Sequence, residues 1–345
     1  MKVVVVGSGG REAVLAAVLA RTAEVVVTPG NPGVPGSVAT PPAELDADLF
    51  VIGPEVPLVD GLADRLRAAG KLVLGPGADG AQLEGSKTWM KEVVSAAGVP
   101  TARYGAFDEL EPALAFLRGL PGPYVVKTDG LAAGKGVLVT VDLAEAEADV
   151  RAKLSGKAFG AAGTSVVIEE GMVGPEVSVF AVCDGKDAVV LPAAQDFKRV
   201  GDGDAGPNTG GMGAYSPLPW LPQGFEEDIR QRFVLPTLAE LARRGIDYRG
   251  VLYAGLMLTD EGPKLVEYNI RFGDPDSQPV LLRLTSDLAQ LLAEAAAGDL
   301  QSTPSVSDDA VVLVVAAAEG YPVSPRTGDR IGGFDEARSV PGAAV

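Results

Sequence analysis

The chain has no histidine and a single cysteine, Cys183, among its 345 residues. These absences exclude histidine-based catalytic triads, histidine-ligated metals, disulfide frameworks and cysteine-rich zinc sites. No apolar run reaches the roughly 18 residues of a membrane span, and the segment Met1–Gly7 lacks the length and cleavage site of a signal peptide. We therefore expect a cytoplasmic protein.

Positive charge is also scarce, with 29 basic against 46 acidic residues and a net charge of −17. Such a balance argues against non-specific binding to nucleic acid or to an anionic membrane. Any anionic substrate must be bound by local lysines, arginines and helix N-termini. Because the chain is long and 47% hydrophobic, we expect two or three domains with substantial cores.

The first 85 residues alternate apolar strands with helices, which predicts a parallel sheet covered by helices on both faces. The strand runs include Val3–Val6, Val25–Val27 and Leu49–Ile52, and a helix is predicted from about Glu12 to Arg21. The Pro- and Gly-rich stretch 28–48 leaves room for only a very short helix.

The remaining chain predicts mixed α and β units. A helix is expected over Ser86–Ala97, followed by a compact unit with strands at Tyr124–Lys127 and Ser165–Glu170. Residues 195–217 are predicted to be a long loop, and loops of that length are usually functional. Later elements are predicted at 224–243, 249–259, 263–270, 285–298 and 310–317.

The most informative stretch is Lys264–Pro275, which predicts a strand with Glu267 and Asn269 on one face. A carboxylate and an amide oxygen side by side suit a hard cation such as Mg²⁺. Arg271 is one step further along the same face, where a guanidinium suits a phosphate. The alternative is a strand whose polar face is simply solvated.

The turn after the first strand contains Gly9, Gly10, Arg11 and Glu12. Glycine amides at a helix N-terminus suit an anion, so a sugar phosphate is the predicted ligand. A dinucleotide is disfavoured because Glu12 replaces the usual third glycine and the second strand runs into Thr28 instead of an acid. Glu12 is expected to cap the helix or to contact a substrate amine or hydroxyl.

A second glycine-rich stretch follows the strand that ends at Lys127. Three residues separate Gly130 from Gly134, and Gly136 stands where a phosphate-binding loop needs serine or threonine. We therefore predict a flexible hairpin over nucleotide phosphates, with Lys127 at the strand end and Lys135 on the loop. A solvated hairpin is the alternative.

The next strand end carries the acidic residues Glu169 and Glu170, with Met172 just beyond and Glu176 seven residues after Glu169. Backbone groups from Glu169 to Met172 are predicted to contact an adenine edge, and Glu176 to accept from ribose hydroxyls. The alternative is an exposed acidic strand end.

In this order, the stretches resemble the ATP-grasp superfamily, and within it the phosphoribosylamine–glycine ligase (glycinamide ribonucleotide synthetase) family. The resemblance covers nearly the whole chain. It rests on Gly7–Glu12, Gly53–Glu55, Lys127–Gly136, Gly206–Pro217 and Arg271–Pro279.

This resemblance implies an α/β and α+β multidomain fold. An N-terminal parallel α/β (pre-ATP-grasp) domain that binds phosphoribosylamine is followed by an ATP-grasp fold and a partial C-terminal domain. The implied bounds are 1–85 for the first domain, 86–121 and 173–298 for the central domain, 122–172 for the lid and 299–345 for the C-terminal part.

The resemblance also implies a reaction, in which glycine is joined to 5-phosphoribosylamine with ATP through glycyl phosphate. The cofactor would be Mg²⁺ or Mn²⁺, the partners would be small molecules, and neither nucleic acid nor membrane would bind. A monomer is expected, with a weak dimer as the alternative.

Residue roles follow only by that resemblance. Catalytic roles fall on Arg271, Lys135, Asn208, Gly210 and Gly211. Nucleotide binding falls on Lys87, Lys127, Gly130, Gly134, Lys135, Gly136, Glu169, Glu170, Met172 and Glu176. Substrate binding falls on Gly9, Gly10, Arg11, Glu12, Gly53, Pro54, Glu55, Lys198, Arg199, Asp274 and Asp276. The metal ligands would be Glu267 and Asn269.

Two departures from the family pattern leave alternatives open. Ala13 and Phe197 stand where the family carries histidines, and family members continue beyond the position of Val345. The substitutions admit either dispensable histidines or an ATP-grasp ligase for a different amine or amino acid, and we favour the first because the other motifs are intact. A third hypothesis is a non-catalytic, ATP-binding relic or subunit.

Overall fold

The N-terminal part is a parallel α/β unit. The computed structural model describes residues 1–131, 136–156, 165–203 and 205–344. Its first sheet has the order β2-β1-β3-β4 with all strands parallel, as the buried valine runs predict. The strands are β1 (Lys2–Gly7), β2 (Glu24–Pro29), β3 (Leu49–Ile52) and β4 (Val73–Leu74), and the helices are α1 (Gly10–Leu19), a 3₁₀ turn (Pro42–Glu44), α2 (Glu55–Val59), α3 (Leu62–Ala68) and α4 (Gln82–Gly85).

A small antiparallel sheet follows, with the order β5-β8-β6-β7. This lid sheet begins before residue 122, because its edge strand β5 comes from the preceding segment. Ser86 caps the helix before it by accepting from the amide of Trp89. The elements are α5 (Lys87–Ala96), β5 (Tyr104–Phe107), α6 (Leu110–Arg118), β6 (Tyr124–Thr128), β7 (Val137–Thr140), α7 (Leu143–Leu154) and β8 (Val166–Glu170).

The central sheet is antiparallel, with the order β10-β9-β15-β16. A second sheet, β11-β14-β17, joins the middle of the chain to its C-terminal segment. The strands are β9 (Glu176–Asp184), β10 (Ala188–Val190), β11 (Gln195–Asp196), β12 (Arg199–Gly201), β13 (Ala205–Asn208), β14 (Gly213–Ser216), β15 (Arg249–Thr259), β16 (Gly262–Asn269) and β17 (Val311–Val314). The helices are α8 (Phe225–Ile229), a π-helical turn (Arg230–Val234), α9 (Leu235–Arg243), α10 (Ser277–Arg283), α11 (Leu288–Ala297) and α12 (Phe334–Arg338).

Two of the hydrophobic cores are shared by the N-terminal and central sheets. One joins Phe50 and Ile52 to Tyr268 and Leu252, and the other joins the opposite face of the first sheet to α1, α10 and α11. The lid has a separate small core between α6, α7 and its sheet. The N-terminal and central sheets are therefore packed together, and Lys127 of the lid sheet donates to Val266 of β16 at their junction with the lid. No helix in the described part of the chain has the length and apolar character needed to cross a membrane.

One sequence expectation differs from the structure. The stretch 195–217, predicted to be a long loop, contains four short strands in its described residues. Within this stretch β11 pairs with β14 and β12 pairs with β13, and β14 also pairs with the distant strand β17. Local periodicity carries no information about such pairing.

Candidate active site

The predicted metal pair lies at the end of β16. Tyr268 points into the core, where its hydroxyl bonds to the Phe233 carbonyl at 2.9 Å, so Glu267 and Asn269 share the opposite face. Asn269 is buried and Glu267 is half-buried. Across the sheet they lie opposite Gly255 and Tyr253, and glycine leaves the space in front of Glu267 open.

Arg271 follows on the same side and is held by carboxylates. It donates to Glu84 at 2.9 Å and to Asn269 Oδ1 at 3.1 Å, and its Nε lies 3.4 Å from Glu55 Oε2. Burial alone would lower the pKa of Arg271, but Glu84 and Glu55 raise it above its ordinary value. Its Nε makes no hydrogen bond and is buried beside the Glu55 carboxylate.

Lys127 ends the lid strand β6 beside the same site. Its Nζ lies 2.9 Å from Glu169 Oε1 and donates to the Val266 carbonyl of β16 at 3.3 Å. Burial opposes the charge of Lys127, but Glu169 and Glu267 raise its pKa above the ordinary value. The lid lysine is thus a charged group directed at the strand that carries the predicted metal ligands.

The base of the glycine hairpin is attached to the N-terminus of α5. Asp129 accepts from the amide of Lys87 at 2.6 Å, and Lys87 Nζ donates to the Gly130 carbonyl at 2.7 Å. Burial lowers the pKa of Lys87, and Glu267 opposes this effect. Gly136 resumes the described chain at the far side of the hairpin, whereas Gly134 and Lys135 lie outside the described residues.

The strand end predicted to contact adenine leads away from Glu169. The Glu170 side chain accepts from the amide of Arg103 at 3.0 Å, and Met172 follows in an irregular half-buried segment. Glu176 bonds to Lys198. The backbone next to Met172 therefore adjoins Pro123, whose carbonyl accepts from the Gly171 amide at 2.6 Å. The Glu176 carboxylate is paired with Lys198, which lies between β11 and β12.

The first glycine turn is lined by carboxylates. Glu12 accepts from the Gly9 amide at 2.7 Å and from Arg11 Nε at 2.6 Å. Asp274 accepts from the Arg11 amide at 3.3 Å and lies beside Gly10, where a Cβ would meet its Oδ1 at 3.5 Å. The Arg11 guanidinium is buried and donates to the Phe272 carbonyl. This arrangement suits an amine or hydroxyl better than a phosphate.

Gly53 lies against the buried Glu12 side chain. A Cβ at Gly53 would lie 2.0 Å from Glu12 Oε1, so any larger residue here would displace the Glu12 side chain. Pro54 and Glu55 begin α2, and Glu55 is directed toward Arg271. This stretch therefore connects the first turn with the predicted metal strand.

The loop that carries Gly210 and Gly211, two residues with predicted catalytic roles, contacts the C-terminal segment. The Gly210 amide donates to the Tyr321 hydroxyl at 2.9 Å, and the Gly211 amide donates to Thr209 Oγ1 at 3.0 Å. Gly211 has φ +116°, and a Cβ there would lie 2.2 Å from Pro275. The loop is therefore packed directly against the Asp274–Pro275 turn.

The polar residues around this loop divide into exposed and buried groups. Arg199 is exposed and bonds to the Gly206 carbonyl, and Asn208 is exposed at the end of β13. Asp276 is buried and accepts from Ser178 Oγ at 2.6 Å. Burial and the charge of Asp276 raise the pKa of Asp196 to about 7, against the opposing charge of Lys198.

Four residues that sequence reasoning missed adjoin these groups: Glu84, Lys91, Asp129 and Tyr321. Each of them has a partner 42 to 187 residues away along the chain, and local spacing does not indicate these distant contacts. The one available signal is Lys91, a lysine between the buried residues Met90 and Val93 and one helical turn after Lys87.

The donor set fits a divalent cation that is bound partly by nucleotide phosphates. Among the described residues, no group of three or more Asp, Glu or Cys side chains is placed to hold a metal ion alone. A carboxylate and an amide oxygen with space for phosphate oxygens and water match the way proteins hold Mg²⁺. Glu267 and Asn269 are the residues that would hold it.

Comparisons with known proteins agree with this architecture. Family models match along most of the chain: the phosphoribosylglycinamide synthetase N domain over residues 1–84, and the ATP-grasp (A) domain of the same family over residues 85–277. A phosphoribosylamine–glycine ligase from Caulobacter vibrioides is 49% identical, covering 97% of this chain and 82% of its own length.

Solved structures give the same result. The phosphoribosylamine–glycine ligase of Thermotoga maritima superposes with a TM-score of 0.83 at 34% identity, covering 94% of this chain and 83% of that one. Biotin carboxylase from Campylobacter jejuni, solved with a β-γ-ATP ligand, has a TM-score of 0.68 at 15% identity over 90% of this chain and 74% of that one, which shows the fold alone. The chain belongs to the phosphoribosylglycinamide synthetase (phosphoribosylamine–glycine ligase) family, as its motifs predict.

Proposed function

We propose that this protein joins glycine to 5-phosphoribosylamine at the expense of ATP. The glycine carboxylate attacks the γ-phosphorus and expels ADP, which forms glycyl phosphate. The amine of the sugar phosphate then attacks the glycyl carbonyl, and inorganic phosphate leaves with the bonding electrons. The amine loses a proton, and the products are glycinamide ribonucleotide, ADP and phosphate.

The observation that carries this proposal is the meeting of three charged groups at the end of β16. Glu267 and Asn269 form a hard-oxygen pair, Arg271 donates to Asn269, and Lys127 donates to the Val266 carbonyl of the same strand. A divalent cation bound by the pair would add positive charge at the phosphate oxygens. In phosphoryl transfer, positioning and charge neutralisation supply most of the catalysis.

Each group takes a role that follows from its position. Lys127 and Lys87 neutralise the nucleotide phosphates from the lid and from α5, and Lys135 on the hairpin would add to them. Arg271 holds the transferred phosphoryl group or the acyl phosphate. The loop of Gly210 and Gly211 lies against the Asp274–Pro275 turn, where it would border glycine and its acyl phosphate, while its two amides donate to Tyr321 and Thr209.

The first turn binds the acceptor through its amine and hydroxyl groups. Glu12 and Asp274 supply the acceptor oxygens, and the Gly10 backbone permits close approach. Glu55 reaches the same space from α2. Because these carboxylates would repel a phosphate, we expect cationic side chains away from this turn to bind the acceptor's phosphate group.

The acceptor in this proposal is 5-phosphoribosylamine, although Ala13 and Phe197 replace the two histidines of the family pattern. Phe197 is 55% exposed and packs on Tyr215 with ring centroids 6.1 Å apart, and Ala13 packs against a hydrophobic core. Neither position presents a new polar group to the substrate. This supports dispensable histidines over an altered acceptor.

The domain division that the motifs imply is proposed with one extension. The lid comprises residues 122–172 together with β5 and α6, which share its sheet and core. We place the protein in the cytoplasm as a monomer that binds small molecules and neither nucleic acid nor membranes, with ATP and Mg²⁺ as its nucleotide and metal.

The deciding experiment is ADP release with Mg²⁺-ATP and glycine, with and without phosphoribosylamine generated in situ. Strict dependence on both substrates is expected. ATP binding with ADP release that depends on another amine would indicate a different acceptor, and ATP binding without any turnover would indicate a non-catalytic relic. Replacing Mg²⁺ by Mn²⁺ or by chelator tests the metal.

A further inference from the structure

A buried lysine that the proposed reaction does not use lies behind the nucleotide-binding groups. Lys91, on α5, is fully buried. Its Nζ donates to Thr101 Oγ1 at 2.7 Å and to Glu169 Oε2 at 3.1 Å. A buried ammonium is costly unless it is paired and hydrogen-bonded, so these two bonds explain how Lys91 is tolerated.

Glu169 is shared between two lysines. Its second oxygen lies 2.9 Å from Lys127 Nζ, and all three side chains are at most 6% exposed. Burial would raise the pKa of Glu169, but Lys127 and Lys91 together lower it. The three residues, which we call the buried triad, therefore carry a net charge of +1.

The net charge of the buried triad determines how strongly it attracts a phosphate. If Glu169 had only Lys127 as a partner, that pair would be neutral, and the lid would present little net charge to an anion. Lys91 compensates Glu169 from behind. The charge of Lys127 is then left to attract a phosphate bound near the end of β16, and the low polarity around the buried triad strengthens the attraction.

The triad also connects the lid to the strand of the predicted metal pair. Thr101 accepts from Lys91 and donates to the Leu265 carbonyl at 2.7 Å, while Lys127 donates to Val266. Both carbonyls belong to β16, directly before Glu267. One charge cluster thus fixes the lid sheet relative to the central sheet.

We propose that Lys91 is a positioning residue for nucleotide binding, which compensates the charge of Glu169 so that Lys127 remains free to attract the phosphates. The inference rests on the proposed function, because it takes the anion to be a nucleotide triphosphate or diphosphate. Lys91 touches no substrate and acts through Glu169.

The surroundings of Lys91 agree with a role that depends on its charge. Burial lowers its pKa to about 8, against the opposing charge of Glu169. The other groups that face it are Lys127 on β6, Glu267 on β16 and the Tyr104 ring on β5, whose centroid lies 5.4 Å from Nζ.

The test is calorimetric titration of the full-length protein with MgADP. Lys91→Met, which keeps length and removes charge, is expected to raise the Kd roughly tenfold, because the remaining pair is neutral. The double variant Lys91→Met/Glu169→Gln is expected to recover a Kd within about threefold of the unmodified protein, because Lys127 is again uncompensated. Lys153→Met removes a buried lysine that pairs with Asp149 on the lid helix α7, and it should leave the Kd unchanged.

Three results would overturn the inference. They are an unchanged Kd in Lys91→Met, a double variant that binds no better than Lys91→Met, and an equal loss from Lys153→Met. Thermal unfolding shows whether Lys91→Met folds. If it does not, the double variant is still compared with the unmodified protein, and a tenfold higher Kd in the double variant contradicts charge compensation. Turnover is measured separately. If the variants bind MgADP with the expected Kd values but the unmodified protein shows no glycine-dependent turnover, the proposed function is rejected and this inference stands.

Discussion

The two glycine-rich stretches look alike in sequence, but they have opposite electrostatic surroundings. The turn at Gly9 and Gly10 is lined by Glu12 and Asp274, and its own arginine is turned inward to the Phe272 carbonyl. The stretch that starts at Lys127 is bordered by lysines with a net positive charge. A glycine-rich turn at a helix N-terminus therefore predicts close approach of a ligand, whereas the charge of that ligand depends on side chains brought in from elsewhere.

The strongest test of the cationic side is Glu267→Gln. Loss of a metal ligand should lower kcat for ADP release by roughly 10²–10³-fold with the fold retained, because charge stabilisation in the transition state is reduced. Thermal unfolding checks the fold. Glu261→Gln, an exposed acid paired with Lys264 on the same hairpin, is the control, and wild-type turnover in Glu267→Gln would reject the metal assignment.

Lys127→Ala tests the lid side of the same region. Nucleotide binding should weaken by roughly 30-fold, because a buried cation next to the phosphates is lost while Lys91 remains paired with Glu169. Titration with MgADP gives the change in Kd. The exposed Lys2→Ala should bind as the unmodified protein does, and an unaltered Kd in Lys127→Ala would contradict its role.

Asp274→Asn tests the acidic turn directly. If the turn binds the acceptor's amine or hydroxyls, the KM for phosphoribosylamine should rise roughly tenfold while the Kd of MgADP stays constant. If the turn instead bound the acceptor's phosphate, removing this carboxylate would lower the KM. Steady-state kinetics therefore distinguish the two assignments, with Asp299→Asn as a remote control.

The smallest expected effect is a pH dependence of MgADP affinity that arises from the titration of Lys91. Its pKa of about 8 in the folded protein means that the triad loses its positive charge as pH rises through that value. MgADP affinity should therefore fall several-fold between pH 7 and 9, and less in Lys91→Met. Because Lys87 also has a lowered pKa, a residual dependence is expected in the variant, and identical pH profiles would exclude Lys91 as the source.

The sequence predicted those features that depend on residues close together along the chain. Alternation along Lys264–Asn269 places Glu267 and Asn269 opposite Tyr268, and the fold and family follow from motifs that span most of the chain. Partners across the fold were not predictable: Asp274 reaches the Arg11 amide over 263 residues, and β14 obtains its partner from β17. The composition of a net acidic chain does not indicate which of its lysines are buried. The sequence therefore predicted a role for Lys87 but none for Lys91.

The ion pair between Glu84 and Arg271 has a consequence for how such enzymes can be recombined. Glu84 is the last residue matched by the N-domain family model, and Arg271 lies in the segment matched by the next. Glu84 also accepts from the Ile270 amide at 2.9 Å. A chimera spliced at this boundary inherits the carboxylate from one parent and the arginine from the other, so functional hybrids require parents that agree at both positions.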